Sequence, residues 1–290
     1  METAKKAVGR LYLCATPIGN LEDMTYRAVR MLGEADIIAA EDTRHTRELL
    51  THFDIHTELT SYHEHNKAAK GPQLVERMLA GDTIVCVSDA GLPGISDPGA
   101  DLARLAIEAG IEVSPLPGAN AALSALICSG LPTERFTFVG FLPHQTKRRR
   151  ELLENVAGHL ETLIFYEAPH HLRETLRELA QALGGGRRAA LGRELTKRFE
   201  EFRYGTLDEL SRWYEEHEPR GEFVIVVAGC MASESAGVTE PEVSRTPFEC
   251  YEHHLAAGLG RKEAMRAAAR ELGIGRRDVY KAVLEHEQQA

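Results

Sequence analysis

No apolar run in this 290-residue sequence comes near the ~20 residues a helix needs to cross a bilayer, so no membrane role is expected. The opening stretch METAKKAVGRLYLCATPIGN also lacks the long apolar core and cleavage site of a secretory signal. Its short apolar patch runs straight into a Pro-Ile-Gly turn and reads as a first strand. Paired cysteines are missing. The five present (Cys14, Cys86, Cys128, Cys230 and Cys250) are scattered, odd in number and never Cys-x-x-Cys. Free thiols in a reducing cytoplasm are expected, with neither a disulfide framework nor a metal site. Positive charge is short as well: 34 basic against 44 acidic residues, a net charge of −10. That balance argues against a protein that coats nucleic acid non-specifically, although KRRR at 147–150 leaves room for a local basic face. What is present, 43% apolar and 27% charged residues, is the composition of a folded globular protein with length for two domains and a small module.

Residues 1–130 alternate short β-like runs with helical patterns. Strands are expected at RLYLCAT, ADIIAAED, ELTSYHE, TIVCV and IEVSPL, with helices over Thr43–Leu50, Gln73–Leu79 and ADLARLAIEAG. Asn20 is placed to cap a helix carrying Glu22 and Asp23 in its first turn and ending at Gly33. Such alternation predicts an α/β fold with a largely parallel, doubly wound sheet, in which ligands sit beyond the carboxyl ends of the strands. The pattern restarts near Arg135, giving a second α/β domain over 131–230 with helices at Arg148–Val156, Leu172–Leu183 and Leu207–Glu216. Residues 231–247 have a linker's polar, Pro- and Ser-rich composition. In 248–290, RKEAMRAAAREL, GIG and RRDVYKAVLEHE fit a helix-turn-helix with Arg276 and Arg277 opening its second helix; a plain helical hairpin has the same pattern.

The stretch SDAGLPGISDPG, Ser88 to Gly99, follows the run TIVCV. Its glycines match neither G-x-x-x-x-G-K-[ST] nor G-x-G-x-x-G, and aspartates at 89 and 97 would repel a phosphate. They suit ribose hydroxyls, an ammonium or a sulfonium. Gly91 and Gly94 permit positive φ or close backbone approach, and Pro93 and Pro98 stiffen the loop. A turn with Asp97 as N-cap accounts for SDPG and leaves SDAGLPG without a structural purpose. A second such exit, PLPGANAALSAL, offers Asn120 as a cap ahead of a small-residue helix that can pack on a sheet or on a flat ring.

These segments, with ATPIGNLEDMTYRAVRMLGEADIIAAEDTRHTRELL, FVGFLP, FYEAPHHL, GRELTKRFEE and RGEFVIVV, stand in the order and approximate spacing of one family. From about residue 8 to 230 the chain resembles the ribosomal RNA small subunit methyltransferase I family, bacterial ribose 2′-O-methylases of the tetrapyrrole-methylase-like fold group. The helices after 247 resemble that family's terminal module. The resemblance implies two α/β domains with S-adenosylmethionine in the cleft between them and a homodimer. The implied substrate is a cytidine in the decoding region of small-subunit ribosomal RNA, free or in the assembled subunit. Matched motif by motif, the methyl-donor site falls on Pro17, Ser88, Asp89, Ala90, Gly91, Leu92, Asn120, Ala121, Tyr166 and Glu167.

Methyl transfer from a sulfonium needs no metal and gains most from alignment. A ribose hydroxyl also needs an acceptor for its proton. Glu41 is the first choice, with Glu167 and Glu194 behind it and Asp42, His63 and Glu64 as further candidates; helix capping or an ion pair between domains would equally explain each. Arg44, Arg47, Lys147, Arg148, Arg149, Arg150, Lys197 and Arg198 are candidates for phosphate contacts, with Arg276 and Arg277 in the terminal module. His63, His65, His170 and His171 lack the acidic and cysteine spacing of a zinc site and are expected to stack or hydrogen-bond in an RNA cleft. Two other functions stay open: a methylase of a tetrapyrrole or a protein on the same fold, and a ligand-sensing helix-turn-helix regulator.

Overall fold

Strands β1 (Arg10–Cys14), β2 (Ile37–Ala40), β3 (Glu58–Ser61), β4 (Ile84–Val87) and β5 (Glu112–Leu116) form one all-parallel sheet in the order β3-β2-β4-β1-β5. Both β2 and β4 are apolar and buried at every position, as strands covered on two faces must be. Their residues alternate between two cores. Ile37, Ala39, Ile84 and Cys86 pack with Leu74 and Met78 of α3 (Lys67–Leu79) and Leu102 and Ala106 of α4 (Gly99–Glu108). Ile38, Ala40, Val85 and Val87 pack with Ala28 and Leu32 of α1 (Tyr26–Glu34) and Leu50 of α2 (Thr43–His52). This is the doubly wound arrangement expected from the alternation. In a computed structural model the description covers residues 7–230, 246–256, 258–272 and 274–287.

Three local expectations change. Asn20 caps only a 3₁₀ turn, Leu21–Asp23, by accepting the Glu22 N–H at 3.1 Å. The helix proper starts afresh behind Thr25, whose hydroxyl accepts the Ala28 N–H, and Gly33 lies inside it rather than at its end. Third, α3 begins at Lys67 and not at Gln73. Its Gly71 is buried where a Cβ would sit only 2.7 Å from Leu105 Cδ1, and Pro72 is accommodated in the second turn.

The second sheet has the order β6-β7-β10-β8-β9, from β6 (Phe136–Phe141), β7 (Thr162–Glu167), β8 (Arg188–Arg193), β9 (Glu201–Thr206) and β10 (Phe223–Val227). It is mixed: β6 and β7 run parallel and every other pairing is antiparallel. The edge strand β9, EFRYGT, went unforeseen because its charged residues hide the alternation. One face of this sheet is covered by α6 (Thr146–Val156), α7 (Leu172–Leu183) and α8 (Leu207–Glu216). On the other, Ile164, Val224 and Val226 receive Ala122, Ala125 and Leu126 of α5 (Ala121–Cys128). The small-residue helix that ends the first half thus serves as packing for the second.

Both sheets belong to one compact unit, Met1–Ala232, and Ser233–Ala290 forms another. In that second unit α9 (Pro247–Ala256), α10 (Arg261–Glu271) and α11 (Arg276–Glu287) enclose a core of Cys250, Tyr251, Ala264, Ala268, Val279 and Val283. Most of the expected linker, 231–245, lies outside the described residues. No described helix is long and apolar enough to cross a membrane.

Candidate active site

The chain leaves β1 toward β2 on one side of the sheet and β4 toward β5 on the other, so the carboxyl ends of β1 and β4 bound a crevice. The loop after β4 is fastened there. Thr16 and Gly91 exchange backbone hydrogen bonds of 2.9 and 3.1 Å, and the Thr16 hydroxyl donates to the Ser88 carbonyl at 3.1 Å. Gly91 (φ +80°) and Gly94 (φ +91°) take the left-handed conformation that glycine adopts at little cost. Asp97 does more than start a helix. Its Oδ1 accepts the N–H groups of Gly94 at 2.8 Å and Gly99 at 2.7 Å, so one carboxylate ties the loop and caps α4 from the residue before Pro98, the formal N-cap.

This loop forms one wall of a cavity of about 310 Å³, within the usual size of small-molecule sites. Ser88, Asp89, Ala90, Gly91 and Leu92 border it together with Asn120 and Ala121, and the second sheet contributes Tyr166 and Glu167 across from them. Pro17 does not border it; its neighbour Ile18 does, and Pro17 lines a smaller adjoining cavity. Ile18, Leu92, Phe141, Leu195 and Val224 make the walls largely apolar. Glu41, Asp89 and Asp97 all border the cavity, and among the described residues none has a cationic partner. Burial, followed by the charges of Asp89 and Asp97, pushes the Glu41 carboxyl above the ordinary carboxylate range, against one hydrogen bond from the Asp89 N–H. Burial likewise raises Asp97, despite its backbone donors. Asp89 is held by the Asp42 N–H on Oδ1 at 2.9 Å, which leaves Oδ2 open. Asp97, noted in the sequence as suited to a cationic or hydroxyl-rich ligand but assigned to a helix cap and left out of the donor set, borders the cavity as well.

The other two candidate bases hold the architecture. Glu167 accepts from the Ala168 N–H at 2.8 Å and the Thr175 hydroxyl at 2.5 Å, so both its oxygens are engaged. Glu194 Oε1 takes the Lys197 ammonium at 2.9 Å and the Glu222 N–H at 2.9 Å. Partial burial alone would raise its pKa, but these donors hold it below the usual range. Lys197, expected at a phosphate, is bound to Glu194 and to Glu222 at 2.8 Å. Arg149 is a clearer correction: 9% exposed, it donates to Thr175 Oγ1 at 2.7 Å and pairs with Glu178, which removes it from any RNA surface. The run KRRR therefore splits by helical period, with Lys147, Arg148 and Arg150 exposed and Arg149 turned into the fold. Arg44 is exposed and chelates Asp42, Arg47 and Arg198 are exposed, and Arg276 and Arg277 are exposed at the start of α11. The rings of His170 and His171 meet at a tilt of 54° with centroids 4.2 Å apart, and His144 lies 5.7 Å from His171. No group of three His, Cys, Asp or Glu side chains among the described residues is placed to hold a metal.

The sequence that builds the parallel sheet, its strand-end loop and most of the mixed sheet belongs to one class: residues 10–211 match the Tetrapyrrole (Corrin/Porphyrin) Methylases. The fold is shared with uroporphyrin-III C-methyl transferase from Thermus thermophilus complexed with S-adenyl homocysteine (TM-score 0.53, 20% identity, 76% of this chain and 97% of that one). Closer in sequence is a ribosomal RNA small subunit methyltransferase I from Halalkalibacterium halodurans, 52% identical over 94% of this chain and 93% of its own. The Bacillus subtilis protein of the same name is 48% identical over 96% and 95%. The chain belongs to the ribosomal RNA small subunit methyltransferase I family.

Proposed function

We propose that this protein transfers a methyl group from S-adenosylmethionine to the ribose 2′-hydroxyl of a cytidine in the decoding region of small-subunit ribosomal RNA, in the cytoplasm. The observation that carries the reading is the set of unpaired carboxylates, Glu41, Asp89 and Asp97, in one largely apolar cavity. Phosphate-bearing cofactors are disfavoured by such a wall, whereas a cationic adenosyl compound fits it. The residues suit that donor: the open Asp89 oxygen can take a ribose hydroxyl or a positive group, and glycine at 91 lets the backbone approach closely. Ala121 and Tyr166 supply apolar surface for a flat ring. When bound, the donor supplies an electrophilic methyl on a sulfonium.

Everything else is done by the chain. The stiff loop aligns the partners, and alignment alone is worth an effective molarity of about 10⁵–10⁸ M. Glu41, ionised, accepts the proton of the attacking hydroxyl, a contribution of about 10²–10⁴-fold. Its raised pKa makes it a better base than an exposed carboxylate, and activity falls as pH drops through that pKa. Glu167 and Glu194 act by holding the second wall in place. Exposed Arg44, Arg47, Lys147 and Arg148 contact phosphates.

Incubation with labelled donor tests the reading. Label should enter small ribosomal subunits from a strain lacking this methylase, and map to a cytidine 2′-oxygen. Label in a tetrapyrrole or a protein, with none in the subunits, overturns it. A homodimer is part of the proposal, supported by Leu123 (45% exposed) and Ile127 (75%) one turn apart on α5, beside Tyr204 (60%), whose hydroxyl donates to the Cys128 carbonyl. Ile127→Glu is expected to shift the mass in light scattering from dimer to monomer.

A further inference from the structure

We propose that a second cavity beside the donor cleft receives the target nucleoside, with Glu48 selecting cytosine and His45 stacking on the base; this rests on the RNA reading above. The cavity measures about 200 Å³ and is bounded by Pro17 and Leu21 after β1, by His45 and Glu48 of α2, and by Ser88 and Asp89. Ser88 and Asp89 also border the donor cleft, so the two chambers share one wall, the start of a single loop. In-line transfer needs the acceptor to approach from a side that the donor does not fill. The second chamber, next to the first at Ser88 and Asp89, is where we place that approach, with the ribose reaching past the shared residues toward Glu41.

The helix supplies the chemistry. His45 and Glu48, at i and i+3, share a face of α2, and Arg44 and Arg47 repeat that spacing one position earlier. All four are exposed, and among the described residues neither the His45 nor the Glu48 side chain has a partner. A single-stranded nucleotide presents the matching groups. Its flanking phosphates suit the two arginines, its flat face suits the imidazole, and a base-edge donor suits the carboxylate. Cytosine presents an exocyclic amine where uracil presents a carbonyl oxygen, which a carboxylate repels. The apolar Pro17 and Leu21 complete a slot for a ring.

The test compares small subunits carrying cytidine or uridine at the target position. With the wild-type chain, methyl transfer should favour cytidine. Glu48→Gln should shrink that preference about tenfold or more, and His45→Ala should raise KM for subunits more than it lowers kcat, with rescue by His45→Phe. A second readout is independent of turnover. With S-adenosylhomocysteine saturating, affinity for a fluorescent oligoribonucleotide of the target sequence should fall in Glu48→Gln and His45→Ala, while calorimetric affinity for S-adenosylhomocysteine stays at the wild-type value. Unchanged base preference and RNA affinity in both variants overturn the assignment. Absence of label transfer to subunits by the wild-type chain instead overturns the RNA reading on which it rests.

Discussion

At the residue scale, Glu41 carries opposed demands. Its folded pKa is raised, so the fold favours its neutral form. The stability gained from that form is present below the ordinary carboxylate range and lost as pH rises through the folded value. Glu41→Gln is therefore expected to melt higher than wild type at about pH 8 and to match it at about pH 4, while single-turnover methyl transfer falls about 10²–10⁴-fold with donor affinity retained. Calorimetry against pH and rapid-quench kinetics read the two halves separately. Asp89 is expected to matter to donor affinity rather than to proton transfer. Removing the carboxylate proposed to hold the donor, in Asp89→Ala, should weaken donor affinity by about tenfold or more, the value of a hydrogen bond to a charged group. Titration calorimetry measures it, and wild-type affinity would place Asp89 outside the contact set.

Among the elements, the buried chain Glu178–Arg149–Thr175–Glu167 joins α6 and α7 to the end of β7. Arg149→Ala leaves Glu178 and Thr175 without their donor. It should destabilise the fold by roughly 2–4 kcal/mol in denaturant melts, below the full cost of breaking a buried pair because Glu178 is 29% exposed. What was legible beforehand follows from the same physics. β2, β4 and β10 read clearly because burial on both faces demands unbroken apolar runs, and the loop after β4 stood out because its first half, SDAGLPG, had no use in a plain turn. Arg149 misled because a charge run is scored by composition, whereas a helix turns every fourth position inward. β9 was hidden by its edge position, and the start of α3 by a glycine and a proline that tertiary packing tolerates. In the site, the pairing of Lys197 with Glu194 and Glu222 depends on a loop in which Glu194 (φ 49°) and Thr196 (φ 67°) are both left-handed, and no motif announces that.

On the scale of the whole molecule, the chain forms two units with separate cores, so variants in one are expected to leave the other folded. Arg276→Ala and Arg277→Ala are expected to leave donor affinity alone and weaken RNA binding, each lowering the salt slope by about 1 in log–log plots. An unaltered slope would mean that the terminal helices do not touch phosphate. In the larger unit, the two walls of the cavity belong to different sheets, and one side chain spans them. A Cβ on Gly19 would overlap Lys197 Cγ, so the lysine stem lies directly on the loop after β1 while its ammonium is anchored by Glu194 and Glu222 from the second sheet. The gap between the walls is thus gauged by four methylenes resting on a bare α-carbon. The spacing of the two walls is thereby tied to a pair of residues far apart in the chain, so a side chain added at position 19 would push the walls apart unless the lysine stem gave way.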